Sequence, residues 1–264
     1  MTNLSKLMQG KKGLVMGLAN DMSIAWGIAK TLKDNGAEIA LSYQGEILKK
    51  RVLPLAEELG SELVIECDVK NEASIAKLVD IIEAKWGKID FIVHSIAFSD
   101  KNELKGRFVD TTRDNFLNSM DISCFSFVST LKHIQRILNV GASAITLTYH
   151  GSQKVMPNYN VMGVAKAALE CSVKYLANDF GPVGVRVNAI SAGPIRTLAA
   201  AGITDFRRIL SHNEMNSPMR RNVSIWDVGN AALSLLSNLS SGTTGEIHYV
   251  DCGSNIMGIP VAAE

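Results

Sequence analysis

Residues 13–36 read GLVMGLANDMSIAWGIAKTLKDNG. Gly13–Met16 is a short apolar run of the kind that forms a buried strand, and Gly17–Asn20 is a turn. From Ser23 to Asn35 the apolar residues Ile24, Ile28, Ala29 and Leu32 recur at helical spacing, and Gly36 ends the pattern. Ser23 stands at the helix start, where it predicts an N-cap. A buried strand that runs through a glycine turn straight into a helix is the first half of a crossover between parallel strands.

The pattern repeats downstream. Further strands are expected at Glu38–Tyr43, Leu63–Cys67, Ile89–His94, Ala142–Leu147, Val185–Ile190 and Glu246–Val250. Helices are expected at Ile47–Leu59, Asn71–Trp86, about Thr112 to Leu138, from near Asn158, around Thr204–Leu210 and at Ser224–Leu236. Apolar strands alternating with helices predict an α/β fold, a doubly wound parallel sheet that is Rossmann-like, with about seven strands and helices on both faces. No linker, repeat or charge block divides residues 1–264, so a single domain is expected. The long connection at about 193–218 has the length of a lid over a substrate.

Composition narrows the function classes. The 264 residues are 47% hydrophobic, and a formal net charge of +1 offers neither a nucleic-acid nor a membrane surface. The stretch MTNLSKLMQGKKG has no apolar signal-peptide core, and no run of about 18 apolar residues follows, so a cytoplasmic protein is expected. Cys67, Cys124, Cys171 and Cys252 are widely spaced, which reads as buried free thiols, with neither a disulfide framework nor zinc indicated.

In a doubly wound sheet, ligands bind beyond the carboxyl ends of the strands. Polar and small residues gather at those ends: Gly17–Asn20, Tyr43–Gln44, Asp68, Ser95–Ser99, Tyr149 and Ser191–Thr197. The first turn is not G-x-G-x-x-G, but Gly17 permits a sharp turn, and Ser23 with the helix start could serve a phosphate. Ser42–Glu46 carries no cation before Lys49, which disfavours a 2′-phosphate. Gln44 can bond a ribose hydroxyl or adenine without demanding charge, so NADH is favoured over NADPH. Asp68 can accept from an adenine amino group beside the Val69 backbone, and a helix N-cap explains Asp68 as well. Ser95, Ile96 and Ala97 allow close backbone approach to a ribose or nicotinamide. Backbone groups at Ile195 can pair with a carboxamide, and Thr197 can reach a phosphate.

Thr148–Ala168 reads TYHGSQKVMPNYNVMGVAKAA. Tyr149 and Tyr159 lie ten positions apart, with Lys166 seven beyond the second. Seven residues is about two helical turns, which would put Tyr159 and Lys166 on one helix face. A phenol beside an ammonium is a hydrogen-bond donor whose acidity the cation can raise, which suits a reaction that builds charge on a carbonyl oxygen. A half-buried ring and a solvated amine would explain the spacing alone.

These residues resemble the short-chain dehydrogenase/reductase superfamily and, within it, the divergent bacterial enoyl-acyl-carrier-protein reductase branch. The ordinary superfamily pattern has Lys four residues after Tyr, where this chain has Gly163. The branch pattern, Tyr-x-x-x-x-x-x-Lys with a second Tyr ten positions earlier, is met by Tyr149, Tyr159 and Lys166. The segments GLANDMSIAWGIA, CDV, HSIAF, PNYNVMGVAK and VRVNAISAGPIRTLA also match, in the family's order, from about Leu14 to Gly253.

The resemblance implies NADH-dependent reduction of trans-2-enoyl thioesters carried on acyl carrier protein, by a homotetramer. It implies Tyr159 as donor to the developing enolate, Lys166 on the nicotinamide ribose, and Tyr149 in the acyl pocket. Ala97, Ser99, Met162, Ile203 and Phe206 would complete that pocket. Gly17, Ser23, Ile24, Gln44, Asp68, Val69, Ser95, Ile96, Ile122, Ile195 and Thr197 would hold the cofactor. Arg207 and Arg208 could meet the acidic carrier protein. Two alternatives stand beside this reading: a 3-ketoacyl reductase of the same superfamily, which needs the closer Tyr–Lys spacing, and a non-catalytic dinucleotide sensor.

Overall fold

The computed structural model describes residues 6–198, 200 and 206–259. Seven strands form one sheet: β1 (Lys12–Met16), β2 (Glu38–Tyr43), β3 (Leu63–Glu66), β4 (Ile89–His94), β5 (Leu138–Thr148), β6 (Arg186–Ala192) and β7 (Ile247–Val250). Their order is β3-β2-β1-β4-β5-β6-β7, and every neighbouring pair is parallel. The order reverses between β1 and β4, which places the crevice for a ligand beyond Met16 and His94, paired in register there.

The strands read as continuous apolar runs because both faces are covered. Successive side chains point to opposite faces, so Leu14 and Met16 enter one core while Val15 enters the other. The first core is closed by α3 (Glu72–Trp86), α5 (Ser126–Ile134) and α6 (Val161–Phe180) through Ile75, Leu78, Phe127, Leu131, Leu169 and Val173. The second is closed by α1 (Ile24–Asp34), α2 (Gly45–Leu59) and α8 (Ile225–Leu236). Each fully buried Leu, Ile or Phe contributes about 1.5–3 kcal/mol relative to exposure. Helices α1 and α8 cross backbone to backbone. A β-carbon at Gly27 would lie 2.4 Å from the Ile225 carbonyl oxygen, and one at Gly229 would lie 2.7 Å from the Gly27 carbonyl oxygen.

Four elements differ by more than two residues from the sequence expectation. The helix expected from about Thr112 to Leu138 is α4 (Arg113–Met120), a π-turn at Asp121–Phe125, α5 and a 3-10 turn at Gln135–Ile137. Leu138 therefore begins β5, four residues ahead of the apolar run Ala142–Leu147. Helix α6 begins at Val161 rather than near Asn158, because Asn158 and Asn160 take φ values of 60° and 39° that no right-handed helix admits. The short helix expected around Thr204–Leu210 is α7, Phe206–Asn216. Of the cysteines, Cys67, Cys124 and Cys252 are buried free thiols and Cys171 is exposed.

Candidate active site

The carboxyl ends of the parallel strands share one edge of the sheet, and the first turn closes tightly on it. Gly17 has φ +90°, and a β-carbon there would lie 1.9 Å from the Ser95 carbonyl oxygen. Ser95 in turn donates its N–H to the Met16 carbonyl at 3.1 Å. Ser23 is the N-cap residue of α1, as expected, but its side chain makes no capping bond. Its hydroxyl oxygen accepts the N–H groups of Ala19 and Asn20 at 3.1 and 3.0 Å and donates to Asn20 Oδ1, so it shapes the turn instead. The first N–H groups of α1, beginning at Ile24, have no partner within the helix.

Around this edge the other sites fall in sequence. Gln44 follows β2 and is exposed, and Lys49, the first cation beyond it, is paired with Glu46 at 3.0 Å. Asp68 is not the cap of α3, since Asn71 accepts the Ala73 and Ser74 N–H groups. Asp68 Oδ1 accepts from the Lys70 N–H instead, in the half-buried turn that includes Val69. After β4, Ile96 is half-buried and Ala97 exposed. Ile195 and Thr197 are half-buried, and Thr197 Oγ1 accepts from the Ala200 N–H at 3.1 Å, leaving its own proton to donate.

Ile122 sits in the π-turn, and its presentation depends on residues the sequence reading did not single out. Ser126 donates to the Ile122 carbonyl at 2.6 Å and so accepts from His94 Nε2 at 2.9 Å. His94 is fully buried against Phe127, and burial, then the Lys166 charge, push its pKa down to about 3. It is a neutral, fixed strut throughout the physiological range. The visible signal was a His directly after the apolar run Phe91–Val93 of β4.

Tyr159 lies in the turn 157–160 ahead of α6, so it does not share a helix face with Lys166. Its ring is 8% exposed and packs with Leu104, Val161 and Met162, beside Phe116, Tyr149 and Met156. The Tyr149 and Tyr159 rings meet edge to face with centroids 5.1 Å apart. Asn160 fixes this turn by donating to the Leu104 and Gly106 carbonyls at 3.0 and 3.2 Å. Leu104, Phe116 and Met156 were absent from the sequence reading: Leu104 and Met156 come from loops with no periodic pattern, and Phe116 from α4, where its spacing does not show which neighbours it meets. Ser99 lies close by in a hydroxyl network: Ser119 donates to Ser99 at 2.9 Å and Ser99 donates to Asn115 Oδ1 at 3.3 Å. Phe206 opens α7, half-buried, and is not part of the Tyr159 cluster. Ile203 falls outside the described residues.

Lys166 is 5% exposed, and its Nζ donates to the Leu147 carbonyl at 2.7 Å. Burial pushes its pKa down to about 8, opposed by Cys124 and Glu170. The expected acidifying effect on the phenol is not present. Tyr159 is pushed well above the ordinary phenol range by burial, then by Tyr149 and Glu170, while burial takes Tyr149 to about 12. Gly163 explains why no Lys stands four residues after Tyr159. A β-carbon there would lie 2.7 Å from the Gly151 carbonyl oxygen, so only glycine lets the two backbones touch.

This edge fits a dinucleotide. Gly17 leaves a bare backbone cradle at the switch point, the start of α1 offers free N–H groups, and Lys166 has two N–H donors beyond the one on Leu147.

A doubly wound sheet with a buried Tyr and Lys at its switch edge defines a dinucleotide-dependent reductase fold. Residues 17–255 match the profile of the family described as enoyl-(acyl carrier protein) reductase, and the chain belongs to that family. It is 61% identical, over 98% of its length and 95% of the relative's, to "Enoyl-[acyl-carrier-protein] reductase [NADH] 1" of Rhizobium meliloti (strain 1021). The crystal structure of the Anaplasma phagocytophilum reductase in complex with NAD is 54% identical, with a TM-score of 0.93 over 97% of this chain and 96% of that one. A Bacillus cereus reductase solved with NADP+ and an indole naphthyridinone is 48% identical, with a TM-score of 0.94 over 96% and 100% of the two chains.

Proposed function

We propose that this chain reduces the trans-2 double bond of enoyl thioesters on acyl carrier protein, with NADH as the reductant. The bound nicotinamide supplies a hydride to the β-carbon of the substrate. The protein's part is to hold the thioester carbonyl against a fixed donor as charge develops on its oxygen. The observation that carries the reading is the state of Tyr159: buried among apolar side chains, its phenol keeps its proton far above neutral pH. Such a group can donate a hydrogen bond to an enolate oxygen, and Gly163, where a 3-ketoacyl reductase would carry its Lys four residues after Tyr, favours enoyl over ketone reduction. Tyr149, edge-on to Tyr159, lines the acyl pocket with Met162, Ala97 and Ser99, and Phe206 would close on it from the start of α7. Lys166 holds the ribose hydroxyls. The remaining cofactor contacts are Gly17, Ser23, Ile24, Gln44, Asp68, Val69, Ser95, Ile96, Ile122, Ile195 and Thr197, with Ser23 acting through the shape of its turn.

The test is NADH oxidation with crotonyl and longer enoyl thioesters against acetoacetyl thioesters. Enoyl substrates should consume NADH, and faster turnover of acetoacetyl substrates would replace this reading with the ketoreductase.

NADPH should bind more weakly than NADH. Gln44 carries no charge, and the nearby Lys49 is neutralised by Glu46. The NADP+ found with the Bacillus cereus relative makes the comparison informative. Parallel titrations decide it: equal or tighter NADPH binding would remove the argument, and Gln44→Arg should narrow the gap.

The carrier protein is assigned to α7, where Arg207 and Arg208 are exposed at its start. On a chain with net charge +1, local charge must do any steering. Arg207→Glu with Arg208→Glu should slow turnover of carrier-linked substrate most at low salt, and should slow a short enoyl–coenzyme A less. Equal loss with both substrates would take the docking site elsewhere. The lid is assigned to about 193–218 on the same grounds of position and length. We further assign a homotetramer in the cytoplasm, supported by the family resemblance and by Val164 and Tyr175, which α6 leaves exposed. Sedimentation measures the first.

A further inference from the structure

Glu170 is a buried ionisable group that the chemistry above does not use. It is 8% exposed and lies on α6 one turn beyond Lys166. Its Oε1 accepts from Thr148 Oγ1 at 2.7 Å and from Ser152 Oγ at 2.5 Å. Thr148 is the last residue of β5, and Ser152 closes the 3-10 turn His150–Ser152. Tyr149 lies between these two anchors, and its own carbonyl accepts the Ser152 N–H at 2.9 Å. One residue before Thr148, the Leu147 carbonyl takes the Lys166 bond. The helix thus grips the end of β5 at successive residues, first with a cation and then with a carboxylate.

We propose that Glu170 is a positioning residue of the active site, which holds the Tyr149 turn at the depth that Lys166 sets through Leu147. The proposal rests on the reading of Tyr149, Tyr159 and Lys166 given above. Tyr149 meets Tyr159 ring to ring, so a loose Tyr149 turn would also unseat the proposed enolate donor. Glu170 has a second, electrostatic reach. With Cys124 of the π-turn it favours the charged form of Lys166, while the facing His94 on β4 stays neutral.

Two substitutions separate reach from charge. Glu170→Ala removes the acceptor; turnover should fall about 10²-fold, as a displacement of about 1 Å can produce, and amide exchange should quicken at residues 148–153. Ser152→Ala and Thr148→Val each remove one of the two bonds and should give smaller losses. Glu170→Gln keeps an acceptor oxygen but not the charge. It should recover most of the turnover lost in Glu170→Ala, yet NADH affinity should begin to fall at lower pH than in the wild type. Wild-type turnover in Glu170→Ala overturns the proposal. So does a loss in Glu170→Ala that comes with faster exchange across the whole sheet and is not restored by Glu170→Gln, because that is a folding defect. If the wild type does not reduce enoyl thioesters, the proposed function fails separately. Glu170 is then judged on exchange at 148–153 and on the pH dependence of NADH binding, and no change in either variant overturns it.

Discussion

Tyr159→Phe is expected to lower turnover on an enoyl thioester by about 10²–10³-fold while NADH still binds, the loss typical of removing one oxyanion donor. The substitution keeps the ring in its pocket with Leu104, Val161 and Met162, so packing changes little and the missing hydroxyl is what the assay reads. Because the phenol is held far above its ordinary pKa by burial, wild-type turnover should show no alkaline limb from Tyr159 in the range where the protein is folded. Tyr149→Phe should cost less, since Tyr149 touches Tyr159 by its ring rather than through its hydroxyl. Turnover near wild type for Tyr159→Phe would transfer the donor role to Tyr149 or to water.

NADH affinity should fall as pH rises through about 8, and Lys166→Met should show the weakened affinity at every pH. The ammonium is the form that can donate to ribose hydroxyls, and burial has brought its pKa down to about 8 from 10.5. A hydrogen bond to a charged group contributes about 1.5–3 kcal/mol, so the loss should be roughly 10- to 10²-fold in Kd. The groups around the ammonium are Glu170 on its own helix, Cys124 in the π-turn and the neutral His94 on β4. Fold stability should move the other way. Below about 8 both states carry the proton and the folded state bears the cost of burying it. Between about 8 and 10.5 the unfolded chain holds a proton that the folded chain has released, so stability rises with pH across that window. Isothermal titration and denaturant unfolding over the same pH series read the two trends. Constant affinity from pH 7 to 10 would mean that Lys166 does not serve the ribose.

The sheet was legible because burial on both faces gives most strands a largely apolar run such as LVM or FIV, set off by glycines and polar ends. The turns that build the site were less so. The Asn residues on either side of Tyr159 look like ordinary helix-start polarity, and only their positive φ shows that the tyrosine sits outside the helix. A helix cap was an alternative reading for both Ser23 and Asp68; Ser23 does stand at the N-cap of α1 but its hydroxyl folds the preceding turn, and Asn71 caps α3. The π-turn at Asp121–Phe125 was not resolved in the sequence, where the whole stretch from about Thr112 to Leu138 reads as one helix. The sign of the effect on Tyr159 was misjudged from Tyr–Lys spacing because spacing carries no measure of burial. Glu170 had a signal, an acid one turn after Lys166 on an otherwise apolar face, but its partners Thr148 and Ser152 come together only in three dimensions.

The contact between Gly27 and Gly229 joins the first helix of the chain to nearly the last. Each glycine stands where the other helix's backbone would meet a side chain, so the two positions behave as one variable. A lineage or a library can enlarge either residue only by prising the helices apart, which also shifts the turn at Gly17 that α1 carries. The same crossing gives the molecule a seam with a built-in clasp. If the chain were divided in the connection between β6 and α8, the carboxyl-terminal piece would carry the brace for the amino-terminal helix. The two pieces would find one another through that glycine crossing and the β6–β7 pairing, making the reductase a natural scaffold for fragment complementation.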